Sequence, residues 1–206
     1  SITNGQTVSA STYATAAEAN VLAGLSKSVN YSIKDTAANI AGANSTALNQ
    51  AINIICTTDA DVAQASTIDT ATNSGYNTYN IVDSDANIAG AGNALLTTAG
   101  TVEVSGTSTV VHASTMGGFT KAVSYSISDS AANALTTLDQ GYNEAVNITI
   151  TGNLTVAKAD VIKEAGNSGD KTYVIEDSAA AITAAVGGTT GATADVQTLN
   201  GATTVT

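Results

Sequence analysis

The 206-residue chain contains no proline, arginine or tryptophan, and one residue each of cysteine, histidine, methionine and phenylalanine. Without proline there is neither a Pro-stiffened linker nor a Pro-terminated helix. Cys56, being alone, forms no intrachain disulfide and no thiolate metal cluster. Arginine is the residue that reads phosphates and bases in bidentate fashion. An arginine-free chain of net charge −11 is therefore a poor partner for nucleic acid or an anionic membrane surface. The acidity favours solubility and leaves room for divalent cations. No run of apolar residues is long enough for a membrane span. No signal peptide is read either: Ser1 begins within structured-looking sequence, which fits a mature or excised piece.

What is present is small. Hydrophobic residues make up 43 % of the chain but aromatics only 4 %. Ala, Thr, Ser, Asn and Gly dominate, and side chains of that size suit thin, regularly stacked interiors better than a thick globular core.

One stretch recurs. Tyr31-Ser-Ile-Lys-Asp-Thr-Ala-Ala-Asn-Ile-Ala41 returns as Tyr79-Asn-Ile-Val-Asp-Ser-Asp-Ala-Asn-Ile-Ala89, as Tyr125-Ser-Ile-Ser-Asp-Ser-Ala-Ala-Asn-Ala-Leu135 and as Tyr173-Val-Ile-Glu-Asp-Ser-Ala-Ala-Ala-Ile-Thr183. A fixed period of this length is the mark of a repeat architecture. Each module opens on an alternating strand, as in Val146-Asn-Ile-Thr-Ile150, Thr101-Val-Glu-Val-Ser105 and Ala51-Ile-Asn-Ile-Ile55. A turn follows at Thr151-Gly-Asn153 or Gly106-Thr-Ser108. Thr155-Val-Ala-Lys-Ala159, Thr109-Val-Val-His-Ala113 and Asp61-Val-Ala-Gln-Ala65 then lead into a short helix, for example over 159–165, which Gly166-Asn-Ser-Gly169 closes.

The Tyr-Ser-Ile element is a second strand, and the Asp or Ser after it is placed to cap a second helix. Asp35, Asp83, Asp129 and Asp177 are the recurring capping residues. In the third copy Ala131, Ala134, Leu135 and Leu138 share one helical face; Asp85 interrupts that face in the second. Residues 13–25 read as a fuller amphipathic helix, suited to a terminal cap.

The expected fold is an α/β repeat: a β-α solenoid of four ~47-residue modules with a parallel sheet and short helices. It is expected as one elongated domain over 1–206, in modules 1–55, 56–104, 105–150 and 151–199, with 200–206 beginning a fifth. Both ends fall in nearly the same phase of the repeat. Either the chain is cut from a longer array, or its ends continue into a neighbour. Ser1, Ile2 and Thr3 at one end, and Ala202, Thr203, Thr204, Val205 and Thr206 at the other, are the expected assembly edges.

The element [Val/Ile]-x-Asp-[Ser/Thr]-Ala-Ala-Asn-Ile, joined to Thr-Val-Ala-x-Ala and separated by Ile-Thr-Ile-Thr-like strands, resembles a repeat of very large bacterial secreted and cell-surface proteins. Those proteins are adhesin-like or S-layer-like and often carry calcium-binding nonapeptide repeats of the RTX type. The resemblance covers all four modules. It implies an extracellular structural protein of a filament, coat or adhesin stalk that associates with itself. An adhesin module holding a surface polysaccharide is the alternative. No Gly-Gly-x-Gly-x-Asp nonapeptide occurs, so the best-defined calcium site of such proteins is not carried here.

Chemistry-bearing residues read as structural. His112 stands where other modules have Lys158 and Gln64, as a solvated face does. Cys56 ends a strand beside acidic residues, which does not activate a thiol. Asp59 and Asp61 are a pair suited to a low-affinity calcium site; no other cofactor is expected. Glu103, Asp139, Glu144, Glu176 and Asp177 do not cluster with aromatics as glycosidase carboxylates would, so no enzyme activity is expected. The Thr-rich strands raise an ice-binding alternative, but Thr-x-Thr is not kept at one position of each module.

Overall fold

The computed structural model describes residues 7–187 and 202–205. The chain is α/β, with short parallel strands alternating with short helices. Its contacts divide it into two compact units: Ser1–Asp83 with Ala91–Val102, and Ser84–Gly90 with Glu103–Thr206.

The first unit runs β1 (Val8–Ser9), α1 (Ala16–Ala23), β2 (Val29–Asn30), β3 (Ile33–Asp35), α2 (Ala37–Ala41), α3 (Ser45–Gln50), β4 (Ile54–Cys56), α4 (Val62–Asp69), β5 (Asn77–Thr78) and β6 (Ile81–Asp83). Helix α5 (Asp85–Ala91) lies in the second unit but for its last residue, and α6 (Asn93–Thr98) returns to the first. β1 pairs with β2, and β3, β4 and β5 pair in that order, all parallel. Val8 faces Val29, Ile33 faces Ile54 and Ile54 faces Asn77, so each step of the ladder takes about half a module. Isolated bridges join Ala14 to Ile33 and Ala60 to Ile81. Ala14, Ile33, Ile54, Ala60 and Ile81 are buried, as are Ala19, Ile40, Ala47 and Ile68 on the helices. The interior is narrow, and small side chains fill it.

The second unit continues with β7 (Val102–Ser108), α7 (Val110–Met116), β8 (Ser124–Ser130), α8 (Gln140–Glu144), β9 (Ile148–Leu154), α9 (Val156–Glu164), β10 (Lys171–Ile175), α10 (Ala179–Gly187) and β11 (Thr204–Val205). Strands β7 to β11 are neighbours in chain order, and their pairings are parallel. Parallel strands need a crossover, and helices fill it here.

Four helices start at the same module position. Thr15, Asp61, Thr109 and Thr155 are the N-caps of α1, α4, α7 and α9, and each side-chain oxygen accepts from the amide three residues on. The Thr-Val-Ala-x-Ala element is thus the helix start itself.

Several local expectations change. The segments 106–108 and 151–153, expected as turns, lie inside β7 and β9. Gly106 (φ +108°) and Gly152 (φ +82°) adopt backbone angles that L-residues avoid, which lets the register slip there while the strand runs on. The helix expected over 131–138 is a turn; α8 starts only at Gln140. The amide of Ala131 donates to the carbonyl of Thr151, extending β8, and the Lys158 ammonium takes the carbonyls of Ala131 and Ala132. A first helical turn there has lost those groups. The amphipathic helix read over 13–25 is shorter, α1 alone, and leaves Tyr13 and Leu25 half exposed. Helices α3 and α6 were not expected.

Candidate functional site

The recurring aspartates make the most regular polar feature. Asp35 Oδ2 accepts from the amide of Ala16 (3.0 Å), Asp83 from Val62 (2.9 Å), Asp129 from Val110 (2.9 Å) and Asp177 from Val156 (3.0 Å). Each donor is the first residue of a helix lying 19 or 21 residues back in the chain. The four aspartates therefore serve helix starts, but not those of the helices that follow them. Those follow from the next residue: Thr36 caps α2, while Ser84 and Ser178 accept from Asn87 and Ala181.

The second oxygen stays local. Oδ1 of Asp35, Asp129 and Asp177 accepts from the next amide, and in Asp35 and Asp129 also from Asn39 and Asn133. The Asn39 amide and the Ala16 backbone hold the Asp35 carboxyl below its ordinary range. Burial pushes Asp129 up, but the Val110 amide, Asn133 and the Ser130 amide outweigh it and hold the carboxyl low.

Asparagines form a second set that sequence reasoning missed. Asn53 Oδ1 accepts from the amide of Tyr76, Asn80 from Thr101 and Asn147 from Asp170, each on the next step of the ladder. A glycine precedes each donor, since a Cβ at Gly75, Gly100 or Gly169 would stand 2.2, 2.6 or 2.3 Å from the same asparagine oxygen. Asn20, Asn49 and Asn143 do likewise for the amides of Asn44, Thr72 and Gly166. The Asn-Gly spacing, kept two modules apart, was the available signal.

The repeated tyrosines are buried, and their hydroxyls close backbone or side-chain bonds. Tyr31 donates to the carbonyl of Ala47 and Tyr125 to that of Gly141, both at 2.9 Å. Tyr79 donates to Asp69 (3.1 Å) and lies 2.5 Å from Thr98 Oγ1. Burial raises the Tyr79 hydroxyl to about 12. It also raises the Cys56 thiol to about 11, which leaves it an unreactive protonated thiol at neutral pH.

The remaining expected residues are scattered. His112 Nδ1 lies 2.7 Å from Asp85 Oδ2, so the only histidine meets the one acidic departure from the small residue at that motif position. Asp61 caps α4, and Asp59 accepts from Asn80. Asp139 caps α8, Glu144 accepts from Gln140, Glu176 from Asn153 and Asp177 from Val156. Among the described residues no three His, Cys, Asp or Glu side chains come together to hold a metal ion, and no helix is long and apolar enough to cross a membrane. Ser128, Thr149 and Thr172 stand side by side on β8, β9 and β10, a hydroxyl row three strands wide. Of the assembly edges, Ser1, Ile2, Thr3 and Thr206 lie outside the described residues. Thr204 and Val205 form β11 against Val174 and Ile175, and Ala202 and Thr203 lead into it, with the Thr203 amide on the Tyr173 carbonyl.

No known protein family, no curated protein and no solved structure matches the chain.

Proposed function

We propose that the chain is a structural repeat protein: a β-α solenoid of four modules that builds a bacterial extracellular filament, coat or adhesin stalk by joining copies of itself. One observation carries this reading. The residues that recur are bonded to a neighbouring step of the ladder. The four motif aspartates cap helices one step back, and Asn53, Asn80 and Asn147 hold backbone amides one step on. A residue that repeats because a scaffold needs it at every step behaves this way; an active site needs its groups once.

In this reading β1 and β11, the first and last strands in the chain and each at an end of its pairing order, are the joints. A strand edge presents unpaired backbone groups to which another copy adds. The test is electron microscopy and light scattering of the purified chain beside a variant lacking residues 200–206. The intact chain is expected to form end-to-end oligomers, and the shortened one to stay dispersed. Equal assembly of both would remove β11 as a joint, and dispersed monomers at every concentration would remove the assembly reading.

A further inference from the structure

Five of the seven tyrosines are buried: Tyr31, Tyr79, Tyr125, Tyr142 and Tyr173. The two others, Tyr13 and Tyr76, are 51 % and 56 % exposed. They stand in one column. Ala14 pairs with Ile33, Ile33 with Ile54, and Ile54 with Asn77. The residues one position earlier, Tyr13, Ser32, Asn53 and Tyr76, therefore share a register across four chain segments. Ala14, Ile33 and Ile54 point inward and are buried, so their predecessors lie on the outer face. At the usual strand spacing the two tyrosines are about 14 Å apart.

Between them lie polar groups with hydrogen-bonding capacity to spare. Ser32 Oγ accepts from the Asn53 amide, which leaves its hydroxyl hydrogen to donate elsewhere. Asn53 uses its carbonyl oxygen on the Tyr76 amide, which leaves its NH2 hydrogens. Beside Tyr13 an open depression of about 610 Å³ is lined by Thr12, Asn30, Ser32 and Ile52. The Lys34 ammonium sits 5.7 Å from the Tyr13 ring centroid and steadies the ring.

The same column exists two modules later and differs only at its ends. Thr107 pairs with Ser126, and Ile127 with Ile148, which places Thr107, Ser126, Asn147 and Asp170 at the equivalent positions. The middle Ser and Asn are kept, and they make the same bonds: Ser126 accepts from the Asn147 amide, and Asn147 from the Asp170 amide. The scaffold needs the middle pair. It does not need the tyrosines.

We propose that the Tyr13–Ser32–Asn53–Tyr76 column is a binding site for a neutral glycan chain. Two aromatic faces offer stacking platforms to the C–H faces of sugar rings, and the hydroxyl and amide between them meet ring hydroxyls. The separation matches a few sugars joined end to end. Charge selects the neutral class: the four column residues are uncharged, with the single Lys34 ammonium against one end, whereas the chain as a whole carries −11 and disfavours an acidic polymer. The site does not depend on self-assembly, and each proposal survives failure of the other.

The test uses the whole chain and a panel of neutral hexasaccharides (β-1,4-, β-1,3- and α-1,4-glucans) with hexagalacturonate as the acidic comparison, read by calorimetry. With no tryptophan present, tyrosine fluorescence adds a second readout. At least one neutral oligomer is expected to bind while hexagalacturonate does not. Tyr13→Ala and Tyr76→Ala should each weaken binding about tenfold, an effect of the order seen for losing an aromatic stacking platform. Tyr76→Phe should keep most of it, and Thr107→Ala should change nothing. Circular dichroism melts confirm that the variants fold. No binding across the neutral panel, equal binding of hexagalacturonate, or binding indifferent to both alanine variants overturns the proposal. So does burial of the column in a dimer, seen by sedimentation as a monomer shift in Tyr13→Ala.

Discussion

The first and third copies of the recurring stretch, one in each unit, build two different local structures, and the difference comes down to a few positions. In the first unit β3 stops at Asp35 and α2 begins at Ala37; two modules later β8 runs on to Ser130 and no helix starts at Ala131. The residue facing this point on the next step is Thr58 in the first unit and Gly152 in the second. Thr58 Oγ1 accepts the amide of Ala37, the first residue of α2. Gly152 has no side chain to offer, and its positive φ carries β9 through the position, so the Ala131 amide takes the Thr151 carbonyl and joins the ladder. The hydroxyl supports the start of α2, but its absence does not by itself exclude a helix: Gly106 holds the module position of Gly152 in the second copy, and α5 still starts at Asp85. Propensity of the local sequence, nearly identical in the two copies, decides neither.

The largest effect is expected just after the third copy, which lacks that helix. There α7 and α8 approach backbone to backbone at Gly117 and Gly141. A Cβ on Gly141 would lie 2.5 Å from the Ala113 carbonyl carbon, which is main chain and does not give way. Gly141→Ala should therefore cost about 3 kcal/mol in denaturant unfolding. Gly90→Ala, on α5 with nothing within 4 Å, should instead be neutral or stabilise by up to about 1 kcal/mol. A cheap Gly141→Ala would mean that the helix–helix approach is not what holds this part of the second unit.

The Thr58 explanation comes next in size. Thr58→Val keeps the shape and removes the acceptor, and loss of a cap of this kind costs about 1 kcal/mol. Amide exchange at Ala37 and through α2 should quicken, while that in the second unit stays as it was. Unchanged protection of Ala37 would show that α2 starts without help from the next step.

Acid should weaken both units. The carboxyls of Asp35 and Asp129 have folded-state values below their unfolded ones. Their contribution is complete at neutral pH and is lost as pH falls through those lowered values, below the ordinary carboxylate range of about 4. Asp35 and Asp129 each receive two backbone amides and one asparagine, but burial opposes the lowering most strongly at Asp129. Asp35→Asn should therefore flatten the acid limb of a stability–pH curve more than Asp129→Asn does. An equal flattening, or none, would separate the bonds seen here from the stability they carry.

How much of this was legible in the chain follows from where the partners lie. The period, the Tyr-x-Ile strand and the importance of the aspartates were readable, because each is local. Which helix an aspartate serves was not. The sequence sets Asp129 beside 131–138, while the parallel ladder sets it beside Val110, a neighbour only after folding. The turn at 131–133 was hidden for the same reason, since its amide and carbonyls are taken by Thr151 and Lys158. Four of the seven tyrosines belong to the recurring stretch, and nothing in their local sequence marks Tyr13 and Tyr76 as exposed. Only the pairing register separates Tyr13 and Tyr76 from the five that pack inside.

The smallest expected effect is the most informative about cause. Glu18, Gln64, His112 and Lys158 occupy the same third position of α1, α4, α7 and α9. In the first unit Glu18 and Gln64 fold back on their own N-caps and close capping boxes. In the second, His112 and Lys158 reach 27 residues back instead, to Asp85 and to the Ala131 carbonyl. Lys158→Gln would swap the second arrangement for the first. An exposed tie and a capping box are each worth a few tenths of a kcal/mol to about 1 kcal/mol, so the net change in stability should stay within about 0.5 kcal/mol. The conformation of 131–138 is the readout that matters. If Gly152 rather than Lys158 keeps this segment from forming a helix, secondary chemical shifts over 131–138 should be unchanged in Lys158→Gln. A helical signature there would assign the difference between the first and third copies to the lysine.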